Sequence, residues 1–224
     1  MTGLLPADWL DELAVFPLPR VVFFPGTSLP LRIFEPRYQA MMKDCIAKGR
    51  MAMAVTLLKP GFEADYEGRP EMHDVCTLGR IERYQELPDN HYDLVLCGLT
   101  RVRLAELPEQ GLPYRRARAE VLDGKQRSEA VTRDAVTTLL STASMAAAAI
   151  RRTHPDFSLG VTPSDRPHHI VDTLADRLVA LPEARQELLE TLDLPERVHA
   201  LTGHLAELLG RLEAREKPGR GTLQ

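Results

Sequence analysis

Residues 15–38, VFPLPRVVFFPGTSLPLRIFEPRY, restrict the fold more than any other stretch, because five prolines and one glycine sit among apolar triplets. Each proline holds φ and removes a backbone donor, so five of them are expected to forbid a central β-strand or a long helix here. Short extended pieces are expected instead, at residues 21–24 and 29–33, with a turn at Pro25-Gly26 between them. Glu35-Pro36 reads as a helix entry. Proline suits the first turn, and a carboxylate suits the positive end of the helix dipole.

Hydrophobic spacing extends this reading along the chain. Tyr38, Met41, Met42, Cys45 and Ile46 fall on one helical face, and Gly49 follows as a stop, so a helix is expected over 36–48. Strands are expected at 51–58, 75–87, 92–97, 100–107 and 114–122. Pro88-Asp89-Asn90 supplies hairpin turn chemistry, and Gly98 allows a bend or bulge. The polar run 60–73 reads as a mobile surface loop. Many short strands with close turns suggest a small barrel-like sheet.

At Asp123-Gly124-Lys125 the period becomes helical. Val131, Ala135, Leu139, Ala143, Ala146 and Ile150 share a face, with Ser128 as a candidate N-cap. After a proline-containing connector, helices are expected at 168–181, 182–192 and 195–215. The expected organisation is therefore α+β. A β-rich domain with one helix occupies 1–122, a helical bundle subdomain 123–216 and a flexible tail 217–224.

Composition excludes several classes. The net charge of −4 divides evenly, with 15 Lys+Arg against 17 Asp+Glu up to Leu122 and 13 against 15 beyond it. Neither half carries the basic footprint that phosphate binding leaves. Cys45, Cys76 and Cys97 form no CxxC pair and read as reduced, mostly buried thiols. The N-terminus lacks the basic and apolar regions of a signal peptide, and no apolar run is long enough to span a bilayer, so cytoplasm is the expected compartment.

Four strings carry a family resemblance: FPLPRVVFFPG, LPLRIFEPRY, residues 78–104 (LGRIERYQELPDNHYDLVLCGLTRVRL) and residues 186–201 (QELLETLDLPERVHAL). They resemble the N-terminal, substrate-binding domain of Lon-type ATP-dependent proteases, over roughly Val15 to Leu212. The resemblance implies a PUA-like pseudo-barrel followed by a C-terminal α-helical bundle. It also implies recognition of unfolded or damaged polypeptide by apolar surface, in a stand-alone N-domain without ATPase or peptidase. The single Gly-Lys pair, Gly124-Lys125, lacks the upstream glycine and following Ser/Thr of a phosphate-binding loop.

Catalytic patterns are absent. His168-His169 and the i, i+5 pair His199 and His204 miss helical zinc spacing, and no G-x-S-x-G elbow occurs. No cofactor or metal is implied. The expected function is non-enzymatic polypeptide binding, as an adaptor, chaperone-like factor or regulator of proteolysis working with a protease or chaperone in trans. Its candidate contacts are Phe23, Phe24, Leu31, Phe34, Glu35, Arg37, Tyr38 and Met41, in a groove where barrel meets bundle, with strand addition at an open sheet edge. Glu35 and Arg37 read more simply as a helix-start carboxylate and an arginine pinning a loop, and Arg101, Arg103, Arg115 and Arg116 as solvated strand faces or contacts for acidic segments of a partner. Two alternatives stay open. One is an RNA-binding PUA-like protein, which predicts tight, salt-dependent RNA binding; the other is a hydrolase whose activity disappears in Glu35→Ala.

Overall fold

The computed structural model describes residues 6–108, 111–122 and 133–216. Ser128, Val131, the Asp123-Gly124-Lys125 junction and the 217–224 tail lie outside the described residues.

Six strands form one sheet: β1 (Leu13–Leu18), β2 (Ser28–Ile33), β3 (Ala52–Leu57), β4 (Val75–Glu86), β5 (Tyr92–Glu106) and β6 (Arg115–Val121). Their order is β2-β5-β4-β3-β1-β6, and β6 also pairs with β5. β5, β4, β3, β1 and β6 therefore close a ring, which matches the barrel-like expectation. The ring closes because β5 is long: residues 92–97 pair with β2, and residues 102–106 pair with β6. β5 replaces the two strands expected at 92–97 and 100–107. Gly98 is a bulge within it, opposite Gly79 at a register shift. A side chain at Gly98 would collide with the Phe24 carbonyl, so the close approach needs glycine.

β1 corrects the expectation that prolines forbid a central strand here. It pairs in parallel with β3 over Ala14 to Leu18 and antiparallel with β6 over Leu13 to Val15. Pro17 lies beyond the last β6 pair, so only one side of the strand must bond at that residue. Residues 21–24, expected to be extended, form no strand. Their carbonyls are satisfied one by one: Val22 O accepts from Arg185 Nη2, Phe23 O from Thr77 Oγ1 and Phe24 O from Thr27 Oγ1.

A short helix α1 (Ala7–Asp11) precedes the sheet, and α2 (Pro36–Ala47) follows β2. α2 buries Tyr38, Met41, Met42 and Cys45 against Phe16, Phe23, Ile33, Met53, Leu94 and Leu96. This is the face read from the spacing. Gly49, at φ +65°, follows the end of α2. In the hairpin turn Asp89 and Asn90 both take positive φ, as their short polar side chains tolerate.

The remaining helices are α3 (Arg133–Arg151), α4 (Pro167–Leu178), α5 (Pro182–Glu190) and α6 (Leu194–Glu216). The chain forms two compact units: Met1–Gln126 with Leu181–Leu192, and Arg127–Ala180 with Asp193–Gln224. The expected boundary after residue 122 thus misplaces α5, which belongs with the sheet. Buried Leu188 and Leu189 hold it there, and Gln186 Nε2 donates to Val75 O while Arg101 Nε donates to Leu189 O. In the second unit α3 packs on α6 and α4 through Leu139, Ala143, Ala146 and Ala147. α4 buries Ile170, Val171, Leu174, Ala175 and Leu178. Among the described residues no helix is long and apolar enough to cross a membrane.

Candidate functional site

Expected site residues line two of the surface concavities of the first unit, Arg37 and Tyr38 in one and Leu31 in the other, while others lie in its core. Phe23, Phe24 and Met41 are fully enclosed in the core, so the expected contact surface loses these three. Their burial has a simple cause: with 5% aromatic residues, a small barrel uses most of its large side chains to fill itself. Tyr38 is also buried, its ring edge-on to Phe16 with centroids 4.4 Å apart. Leu31 is half-buried against the same core, while Phe34 stays 59% exposed.

The first concavity is a pocket of about 230 Å³ lined by Pro17, Leu58, Leu112 and Pro113, by Tyr38, Tyr66 and Tyr114, and by Arg37, Arg69 and Arg115, with Glu67, Gly68 and Pro70. Its wall is the loop between β3 and β4. That loop, expected to be mobile, is tied down at several points. Lys59 N donates to Glu71 O, and His73 N to Leu57 O, closing its base. Arg37 Nη1 donates to Tyr66 O at 3.0 Å, and Arg115 Nη1 to Pro70 O at 2.6 Å. Arg37 therefore pins a loop, as its simpler reading has it. Its guanidinium also lies 4.8 Å from the Tyr38 ring centroid and 4.9 Å from that of Tyr66.

Glu35 stands at the N-cap of α2, yet its side chain caps no helix amide. Its Oε2 accepts from Arg37 Nε and Nη2, at 3.0 and 2.8 Å, and its Oε1 accepts from the Tyr66 hydroxyl at 3.1 Å. Burial, then the charge of Glu35, pushes the Tyr66 hydroxyl above the usual phenol range. Burial and the hydrogen bond to Asp44 do the same for Tyr114. These phenols stay protonated at neutral pH and supply hydrogen bonds, not nucleophiles.

Arg115 repeats the arrangement. Its Nε and Nη2 donate to the two oxygens of Glu106, at 2.8 and 2.5 Å, and Arg69 Nη1 reaches the same carboxylate at 3.2 Å. Sequence reasoning placed Arg115 on a solvated strand face and missed Tyr66 and Tyr114 as site residues. One usable signal was the pair Phe62 and Tyr66, aromatics inside an otherwise polar loop. Arg101 and Arg116 also depart from expectation: Arg101 is 2% exposed, and Arg116 is buried with Nη1 3.2 Å from Glu12.

The second concavity is an open groove of about 630 Å³ along β2, β5 and β4, lined by Pro30, Leu31, Arg32, Arg83, Tyr84, Gln85, Asp93, Leu94 and Val95. Tyr84 is 42% exposed, and Arg32 and Asp93 face one another across β2 and β5 at 2.7 Å. Among the described residues β2 pairs only with β5, so its far edge is unpaired. Pro30 stands mid-strand and has no N–H to offer, which blunts that edge. All residues lining both concavities belong to the first unit. Among the described residues no group of three or more His, Cys, Asp or Glu side chains is placed to hold a metal ion.

Comparison with known proteins agrees with this architecture. The fold resembles the N-terminal domain of the Lon protease of the Mycobacterium avium complex, with a TM-score of 0.64 at 14% identity, covering 88% of this chain and 99% of that one. It also resembles a Lon N-terminal domain protein from Xanthomonas campestris, with a TM-score of 0.56 at 23% identity, covering 86% and 98%. By sequence, the chain is 29% identical to Lon protease 2 of Myxococcus xanthus over 93% of its own length, and 27% identical to a Lon protease of Anaeromyxobacter dehalogenans over 89%. It spans about a quarter of each of those relatives, 25% and 23% respectively. The family model for the ATP-dependent protease La (LON) substrate-binding domain matches residues 12–207. With its ring-closed sheet, its helical second unit and that match over most of its length, the chain belongs to the Lon substrate-binding domain family.

Proposed function

We propose that this protein binds unfolded or exposed polypeptide segments non-covalently, presenting them as an adaptor or chaperone-like factor to proteolysis carried out elsewhere. Membership of a substrate-binding family is the observation that carries this reading. The first unit offers the means. Phe34 and Tyr84 remain exposed although the core has absorbed the neighbouring large side chains, and the β2–β5–β4 groove offers mixed apolar and charged walls. Capture there runs through side chains more than through an added strand, since Pro30 removes a donor from the middle of the open edge.

The test is fluorescence anisotropy with reduced, carbamidomethylated lysozyme as the unfolded probe and native lysozyme as the control. Saturable binding of the unfolded chain in the micromolar range is expected, with at least a threefold loss in Phe34→Ser/Tyr84→Ser. Equal affinity for native and unfolded lysozyme, or no binding to either, overturns the proposal.

A further inference from the structure

We infer that the Arg37–Arg115 pocket is a carboxylate-recognition site, which takes the C-terminal residue of a bound polypeptide by its α-carboxylate. The inference rests on the polypeptide-binding reading and gives it a chemical preference. Arg37 and Arg115 line the pocket beside Arg69, whereas Glu35 and Glu106, the carboxylates that hold the first two, are absent from the lining. Each carboxylate holds a guanidinium from outside the cavity. Arg37 donates three of its five N–H groups to Glu35 and Tyr66 O. Arg115 likewise donates three, to Glu106 and Pro70 O. Two N–H groups remain on each, one per terminal nitrogen. Both guanidinia are thus oriented in advance and keep donors for an anion, the situation in which charge-assisted bonds are strongest.

The rest of the wall selects what carries the anion. Pro17, Leu58, Leu112 and Pro113 are apolar, and the rings of Tyr38, Tyr66 and Tyr114 complete the enclosure. A free phosphate would leave this apolar surface uncovered. A terminal residue covers it with its side chain while its carboxylate meets the arginines. At about 230 Å³ the cavity is smaller than the roughly 300–1,000 Å³ of sites for drug-sized ligands, which suits a single residue and not a length of chain. An internal Asp or Glu is the other source of a carboxylate, and it arrives on a stem of only one or two methylenes between two continuing backbones, too little apolar surface to cover the wall. Glu67 is the one acidic side chain in the lining, and it opposes any anion.

The test uses the full chain and fluorescein-labelled decapeptides: one ending in Leu with a free α-carboxylate, its C-terminal amide, and an amide carrying one internal Glu or Gln. The free carboxylate is expected to bind about tenfold tighter than the amide. Glu67→Gln should tighten the carboxylate peptide a few-fold, a gain that misfolding cannot produce. Pro113→Glu, which leaves every arginine in place, should remove the preference for carboxylate over amide by adding a competing carboxylate at the exposed rim. Arg115→Lys should reduce the same preference, because an ammonium lacks the planar fork. A preference for internal Glu over Gln with none for the free terminus overturns the terminal assignment. Equal binding of all four peptides, while unfolded lysozyme still binds, overturns the pocket and leaves the proposed function standing. If neither peptide nor lysozyme binds, both fall.

Discussion

In the first unit several buried polar side chains reach backbone carbonyls on another element, Arg101 to Leu189, Gln186 to Val75 and Thr77 to Phe23, while buried Arg116 meets the carboxylate of half-exposed Glu12. In the second unit they answer each other instead. Arg197, 0% exposed, lies 3.7 Å from buried Asp172 and donates at 3.0 Å to His168 Nδ1. The contrast follows from what each architecture leaves unsatisfied. A ring of strands with irregular connections presents stray carbonyls that need donors from elsewhere in the chain. Helices satisfy their own backbone, so a polar group buried between them must bring its own partner. Neutral backbone acceptors thus serve much of the first unit's buried polarity, whereas in the second unit a fully buried arginine and aspartate lie together.

That difference predicts a ranking. Arg197→Ala takes the cation away from a buried carboxylate and should cost ~3–5 kcal/mol in urea unfolding followed by far-UV ellipticity, with partial recovery in Arg197→Met/Asp172→Leu. Trp9 is the single tryptophan and lies in the first unit, so its fluorescence should keep its transition in that variant. A Trp9 transition that shifts equally would show that the units do not unfold separately and would end the comparison. Gly98→Ala reverses the pattern. The added carbon meets the Phe24 carbonyl, and the Trp9 transition should fall by ~1–3 kcal/mol.

Thiol chemistry sharpens the same point, because all three cysteines belong to the first unit. Burial pushes the Cys45 thiol from 9.0 up to about 11 and shifts Cys76 upward as well. Half-buried Cys97 should therefore react first with an aromatic disulfide reagent at pH 8, while Cys45 and Cys76 wait for the first unit to open. The sign for stability follows. The native state keeps the Cys45 proton more tightly than the unfolded chain, so this contribution is fully present below pH 9 and is lost as pH rises through about 11. A first-unit transition that strengthens over that range would contradict the burial of Cys45. The smallest effect is expected at Phe34→Ser, within ~0.5 kcal/mol of the parent in either transition, since Phe34 is exposed and its proposed role is in binding.

Much of the fold could be read from local pattern. The α2 face, the Gly49 stop, the hairpin at Asp89-Asn90 and the α4 stripe depend on spacing and turn chemistry within a few residues. The site was less legible. Glu35 and Arg37 were singled out because they flank a helix start, but the phenol that completes their cluster, Tyr66, lies 31 residues beyond Glu35 in a polar loop. Arg101 and Arg103 alternate like any solvated strand, yet the first is enclosed because α5 returns to cover it.

By itself the amino-acid sequence determined the family, the α+β class, the strand and helix faces and the points where the chain must turn, since each rests on residues close together along the backbone. Only the tertiary structure decided that β1 is central despite Pro17, that α5 joins the sheet, that Phe23, Phe24 and Met41 are interior and that three arginines line one pocket. Those outcomes depend on which distant groups meet when the ring closes, and hydrophobic period carries no information about distant partners.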